Sequence, residues 1–172
     1  MKLKLFSILL VAALLLAGCG PKTMDPTITT ETPTTTQSAI GVPDFTAFDD
    51  NADPHSLSEY VGKPIVLNFW ASWCGPCKSE MPAFQAVYEE LGQEVQFLMV
   101  NVGETTREAE DFLATVGYTF PVLFDVNGEA SYAYQLSAIP ATFFIDAQGH
   151  LVDSHVGTMQ EADLRAAIEA IR

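Results

Sequence analysis

Apolar positions along this chain fall into three regimes. Leu5 to Ala17 is a 13-residue apolar run interrupted only by Ser7. From Gly20 to Ile40 large apolar side chains become scarce and Thr and Pro dominate. Beyond Val42, short apolar runs alternate with amphipathic stretches, the pattern of strands alternating with helices. After Val42-Pro43-Asp44, Phe45–Phe48 reads as a short strand and Asn51-Ala52-Asp53-Pro54 as a turn. Ser56 and Glu59 have capping-box spacing and predict a brief turn of helix up to Gly62. Pro64–Phe69, with Ile65, Val66 and Leu67 in succession, is apolar on both faces and predicts a buried strand. A helix is predicted from about Gly75 to Leu91, stopped by Gly92 and kinked at Pro82.

Val95–Val102 predicts a second buried strand. Thr105 and Glu108 cap a helix that ends near Gly117. Phe120–Phe124 follows as a strand, Asp125-Val126-Asn127-Gly128 as a turn and Glu129–Leu136 as a short helix. Ala141–Asp146 and His150–Val156 predict two strands joined by a tight turn at Ala147-Gln148-Gly149. Thr158 and Glu161 cap a final helix whose Leu164, Ala167, Ile168 and Ile171 form one apolar stripe. The expected architecture is an α/β domain whose closing antiparallel pair makes the sheet mixed.

The 172 residues therefore divide unevenly. About 130 of them have the size of one domain with a single core. Lys2 and Lys4 ahead of the apolar run make residues 1–18 a signal peptide, too short for a comfortable membrane span. Leu16-Ala17-Gly18-Cys19 resembles a bacterial lipobox, which implies cleavage before Cys19 and a lipid on its thiol. Two acyl chains suffice for stable anchoring where one is marginal. The alternative is ordinary secretory cleavage near Ala17. Residues 19–41 cannot bury enough surface to offset their ordering entropy and are read as a tether, with a reach of roughly 25 Å as a flexible coil. The domain proper is then 42–172.

Loss of Lys2 and Lys4 with the leader leaves six basic against 22 acidic side chains, a formal charge of −16. Such a surface repels phosphates and argues against a nucleic-acid partner. Of three cysteines, Cys19 stands alone, while Cys74 and Cys77 form a C-x-x-C pair. No second C-x-x-C or H-x3-H completes a zinc site, and His150 and His155, oddly spaced on a predicted strand, would face opposite sides. No metal is expected, and no cofactor beyond the cysteine pair itself.

The setting of that pair has a mechanism. A cysteine at a helix N-terminus has its pKa lowered from about 8.5 towards 7 or below, because the free N–H groups and the helix dipole stabilise a thiolate. Cys74 occupies that position and is the expected nucleophile. Cys77, one turn further in, is placed to attack the resulting mixed disulfide and release the product. Pro76 fixes φ in the first turn, where no N–H partner is needed.

Phe69-Trp70-Ala71-Ser72-Trp73-Cys74-Gly75-Pro76-Cys77-Lys78 resembles a thioredoxin active site, and Glu80 and Pro82, with the leader and tether, resemble the TlpA/ResA-like branch of membrane-tethered thioredoxins. Ile139-Pro140-Ala141-Thr142 is similar to the family's loop, whose proline is cis and faces the cysteines. The resemblance covers roughly residues 42–172. It implies a thioredoxin fold, with a mixed central sheet flanked by helices and a helix–strand insertion between about Thr105 and Asp125. It implies catalytic roles for Cys74, Cys77, Glu80 and Pro140, and a substrate surface at Trp73, Gly75, Pro76 and Ile139. Cytoplasmic thioredoxins carry a buried Asp where this chain has Asn68, which cannot titrate; Glu80, three residues after Cys77 on the same helix face, resembles the branch's own acid. The alternative for Glu80 is a solvated helix residue.

The function implied is thiol–disulfide exchange outside the cytoplasmic membrane by a lipid-anchored monomer. It would receive electrons from a membrane thiol carrier and reduce disulfide-bearing proteins such as apocytochromes during haem attachment; oxidised-methionine repair and disulfide quality control are other uses of such proteins. Two other readings stay open. A thiol peroxidase needs Thr or Ser three positions before its cysteine, where this chain has Ala71. A lipoprotein binding module with a static disulfide would need neither Trp73 nor the proline loop.

Overall fold

The computed structural model describes residues 41–172; the predicted leader, Cys19 and all but the last residue of the tether lie outside them. Strands β1 (Thr46–Phe48) and β2 (Pro54–Ser56) precede a 3-10 turn at Leu57–Tyr60. Then come β3 (Ile65–Trp70), α1 (Gly75–Leu91), β4 (Gln96–Asn101), α2 (Thr106–Val116), β5 (Val122–Phe124) and α3 (Glu129–Ala133). The chain closes with β6 (Ala141–Ile145), β7 (Leu151–Val156) and α4 (Glu161–Glu169). The seven strands form one sheet in the order β2-β1-β5-β4-β3-β6-β7. β3, β4 and β5 are mutually parallel, and the remaining pairs are antiparallel. Insertion of α2 and β5 follows the expected plan.

β3 lies at the centre, and all six of its residues are buried. Its alternation divides the core. Ile65, Leu67 and Phe69 pack on one face with Phe45, Leu98, Val100 and Ile145, whereas Val66 and Trp70 face Met81, Phe84 and Val87 of α1 and Leu164 and Ile168 of α4. Burial of each such side chain contributes about 1.5–3 kcal/mol relative to exposure. Asn68 shares the α1 face with Val66 and Trp70 and is the polar residue of an otherwise apolar strand, fully buried. Among the described residues, no helix is long and apolar enough to cross a membrane.

Local signals succeed where the partners are local. The Thr105–Glu108 capping box forms reciprocally, and Gly117 ends α2 with φ 72°, a left-handed conformation that glycine adopts without steric penalty. Pro82 lies within a helix that runs continuously from Gly75 to Leu91.

Other expectations need correction. Asn51 and Asp53 do lie in a turn, held by Asp49 Oδ1, which accepts their amide N–H groups at 2.9 and 2.8 Å. That turn folds Pro54–Ser56 back onto β1 as a strand; the expected brief turn of helix follows as the 3-10 turn with Ser56 at its N-cap, but without the side-chain cap bond that the spacing suggests. Gly92 does end α1 as its C-cap, but in a right-handed conformation (φ −63°) and not the left-handed one; it is required for space, since a Cβ there would meet the Tyr88 ring at 2.6 Å. α4 begins at Glu161 with Gln160 as its N-cap, so Thr158 is not the cap. Met159, between them, donates its amide N–H to Glu80 across the core instead. His150 precedes β7 in a turn held by Asp146, which accepts its backbone N–H at 2.8 Å, so the opposite-face relation to His155 does not hold. β7 is the outer strand and is exposed along its whole length.

Candidate active site

β3 delivers the chain to a tight turn in which Cys74 donates its N–H to the Ala71 carbonyl at 3.1 Å. Cys74 is the N-cap of α1, and Gly75 and Pro76 open the helix. Its backbone carbonyl accepts the N–H of Lys78 at 3.1 Å, and its Sγ lies 3.2 Å from the amide N–H of Cys77, which points at it. That donor and the helix end behind it are what would hold a thiolate on Cys74 once the pair is reduced. The structure has the pair as a disulfide, with the Cα atoms 5.3 Å apart. Cys74 retains 5% exposure and Cys77 none, so an incoming partner reaches only the first sulfur.

The Ile139–Pro140 bond is cis. Its loop faces the pair: the carbonyl oxygen of Ile139 lies 3.8 Å from Cys74 Sγ. Gly157, at the end of β7 with φ +110°, donates its N–H to the Pro140 carbonyl at 2.8 Å and ties the loop down. On the other side Trp73 is 62% exposed, an aromatic surface standing free next to Cys74, while Trp70 is core. A Cβ on Gly103 would sit 3.6 Å from the Trp73 ring, so the indole lies over that glycine. Gly75 and Pro76 are exposed at the helix start, and Ile139 is half-buried. The expected substrate-facing residues therefore converge around Cys74.

Glu104 was not singled out from the sequence, yet it fixes this turn. Its carboxylate accepts the Ser72 backbone N–H at 2.6 Å and the Asn101 side-chain N–H at 2.5 Å, and it also accepts the Ser72 hydroxyl. A Glu just before a capped helix reads as an exposed surface residue; nothing local reveals its partners on the preceding strand and turn.

Beneath the cysteines lies a buried polar row. Glu80, 2% exposed, is no solvated helix residue. Its Oε1 accepts from Asn68 Nδ2 at 2.9 Å and its Oε2 from the Met159 N–H at 2.8 Å. Asn68 Nδ2 also donates to Thr142 Oγ1 at 2.9 Å, while Asn68 Oδ1 is buried without a partner among the described residues. Burial raises the Glu80 pKa above the ordinary carboxylate value, opposed by the Met159 and Asn68 hydrogen bonds and by His155. Thr142 is the second residue sequence reasoning gave no role. Among the described residues, no group of three or more His, Cys, Asp or Glu side chains is placed to hold a metal ion.

This geometry suits sulfur exchange: one sulfur at the surface on a helix end, a second sealed behind it and a buried carboxyl one turn along. Residues 41–154 match the model of the AhpC/TSA family. The chain is 38% identical over 140 residues to a thiol–disulfide oxidoreductase ResA of Geobacillus kaustophilus, covering 80% of each chain. Among solved structures it is similar to StoA of Bacillus subtilis, with a TM-score of 0.64 at 30% identity over 74% of this chain and 98% of that one. It is also similar to the pneumococcal exposed lipoprotein thioredoxin of Streptococcus pneumoniae, with a TM-score of 0.65 at 28% identity, covering 73% and 98%. A Cys74–Cys77 disulfide at a helix start, a facing cis-proline loop and these relatives agree: the chain belongs to the AhpC/TSA family and, within it, to the ResA-like thiol–disulfide oxidoreductases of thioredoxin fold.

Proposed function

We propose that this oxidoreductase works outside the cytoplasmic membrane, anchored by a lipid on Cys19, and runs as a reductant of protein disulfides. Cys74 as thiolate attacks a substrate disulfide; a mixed disulfide forms on Cys74 Sγ and the other substrate sulfur leaves as a thiolate. Cys77 then gives its proton to the Glu80 carboxylate and attacks Cys74 Sγ. The Cys74–Cys77 disulfide forms, and the second substrate sulfur leaves. Two electrons have passed to the substrate, and a membrane thiol carrier returns them to the pair. Trp73, Gly75, Pro76 and Ile139 form the surface against which the substrate lies. Apocytochromes awaiting haem are the substrate class that the ResA-like relationship favours.

The observation that carries this reading is the buried Glu80 one turn beyond Cys77. A carboxylate there opposes thiolate formation. A strong oxidant of this fold owes its potential to a stabilised reduced form, and Glu80 works in the other direction. The reduction potential of the Cys74–Cys77 pair should therefore lie near the thioredoxin value of about −270 mV and far from about −120 mV. Equilibration with glutathione or dithiothreitol buffers measures it; a value near the oxidant end would reverse the proposed direction.

The location rests on the residues before the described domain. The relative described as an exposed lipoprotein supports it, as does Leu16-Ala17-Gly18-Cys19. Cys19→Ser should move the protein from the membrane fraction to the soluble fraction and abolish palmitate labelling. A variant that stays on the membrane would remove the anchor from this account. A thiol peroxidase would need a hydroxyl at position 71, and Ala71 is fully buried with none to offer.

A further inference from the structure

Asn68 has a bonding pattern that is half complete. Both partners of its Nδ2 are within 2.9 Å, Glu80 Oε1 on α1 and Thr142 Oγ1 on β6, yet its Oδ1 is buried with no partner among the described residues. Buried polar atoms in native structures are nearly always paired, and an exception calls for a physical reason. An ionised carboxylate only accepts hydrogen bonds, so it must face the NH2 end of the amide. Once Glu80 carries a proton on Oε1, it becomes a donor. Nδ2 would then meet a hydroxyl, donor against donor, at a distance of 2.9 Å.

The amide can relieve this by a half-turn about its last side-chain bond. Oδ1 would then accept from the Glu80 O–H and, because a threonine hydroxyl rotates to suit its neighbour, from Thr142 as well. Among the described residues no hydrogen bond holds Oδ1 in its present place, so the half-turn breaks none of theirs at that end. Glu80 Oε2 stays fixed by the Met159 N–H throughout, which leaves Oε1 as the oxygen that takes the proton. In either orientation one end of the amide lacks a partner, so the proton on Glu80 decides between them.

We propose that Asn68 is a positioning residue whose side-chain amide turns over with the proton on Glu80, giving both the acid and the carboxylate a hydrogen-bonded state during disulfide exchange. Asn68 cannot titrate; it makes the neighbouring acid usable in both directions. The inference rests on Glu80 as the acceptor of the Cys77 proton. Few other groups bear on Glu80. Among the described residues, His155 on β7, whose strand neighbour is Thr142, is the ionisable side chain whose electrostatic influence reaches it. On α1 Cys77 is the titratable neighbour. β3 and β6 present the neutral Asn68 and Thr142, the segment before α4 presents the Met159 amide, and α4 itself packs with apolar Leu164 and Ile168.

The test separates the two sulfur steps in full-length protein kept in detergent. Loss of Asn68 leaves the carboxylate with one hydrogen bond in a buried site, so its proton is held more tightly. Asn68→Ala should slow Cys77 attack on a preformed Cys74 mixed disulfide about tenfold at pH 7, the worth of one hydrogen bond to a charged group. The pH midpoint of that step should rise by about one unit, while the initial attack by Cys74 changes less than about twofold. Thr142→Val should shift the midpoint in the same direction by less. An unmoved midpoint in Asn68→Ala, or equal slowing of both steps, overturns the proposal. If Asn68→Ala does not fold, the wild-type protein decides: the Asn68 side-chain NH2 resonances should change environment across the pH range in which Cys77 attack titrates, and invariant resonances overturn the proposal. Glu80→Gln run alongside keeps the two ideas apart. An unaltered profile in Glu80→Gln removes Glu80 as acceptor; a profile altered in Glu80→Gln but not in Asn68→Ala removes only the turning amide.

Discussion

Cys77→Ala should leave a protein that captures its partners and cannot release them, whereas Cys74→Ala should capture almost nothing. Both variants should lose turnover in insulin reduction by dithiothreitol, because exchange by a C-x-x-C pair needs one sulfur to attack and another to resolve. The asymmetry follows from position. Cys74 caps α1 and opens beside Trp73 and the Ile139 carbonyl, while Cys77 is sealed inside the first turn at zero exposure. With Cys77 gone, the backbone N–H at position 77 still points at Cys74 Sγ, so the nucleophile keeps its stabilisation. The mixed disulfide then persists, since the sulfur that would break it is absent. Alanine fills nearly the volume of a buried cysteine, so the fold should tolerate the change at a cost of about 1 kcal/mol. Non-reducing gels of whole-cell extracts should show discrete high-mass complexes for Cys77→Ala that collapse on reduction. Equal trapping by the two variants would mean that the roles of attacker and resolver are wrongly assigned.

How much of this could be read from the sequence depended on how far apart the partners lie. α1 was legible, from about Gly75 to Leu91, because its start and stop are written in adjacent residues. The Thr105–Glu108 box was legible for the same reason. Ser56 and Thr158 have the same spacing to an acid, yet neither makes a side-chain cap: Ser56 stands at the N-cap of the 3-10 turn without that bond while pairing with β1, and Glu80 takes the Met159 amide beside Thr158. Spacing states what a local bond could be; it is silent about a competitor 79 residues away. The polar row shows the same limit. Glu80 could be placed near the cysteines by helix periodicity, but its bond to Asn68 and the bond from Asn68 to Thr142 span 12 and 74 residues. Glu104 is 32 residues from the Ser72 it holds. Those contacts exist only once β3 has β4 and β6 on either side.

Glu80→Gln should slow exchange by about a hundredfold at neutral pH, the lower end of what a positioned general acid or base contributes, without loss of stability. The two halves of this expectation come from one fact. Burial raises the Glu80 pKa above its ordinary value of 4.5, despite hydrogen bonds from Met159 and Asn68 and the influence of His155. In the window from pH 4.5 up to that raised value, the folded protein holds a proton that the unfolded chain has released. Stability follows the difference in bound protons, so the folded state loses stability as pH rises through this window. Glutamine does not titrate and behaves like the protonated acid. Its Oε1 can accept the Met159 N–H and its NH2 can donate to Asn68 once that amide presents Oδ1. The variant's stability should therefore fall less between acid and neutral pH than that of the wild type, and at pH 7 it should melt no lower. Catalysis moves in the opposite sense. Removal of the carboxylate eases thiolate formation, so alkylation of the reduced pair should shift to lower pH, yet Cys77 has lost the group that takes its proton as it attacks. The interacting groups titrate as a set, and the profiles should be compared whole. Thermal melts from pH 4 to 8 and alkylation rates over the same range, for both proteins, check the two halves together. Superimposable alkylation profiles, or a lower melting point for Glu80→Gln at pH 7, would show that Glu80 serves the fold and not the thiols.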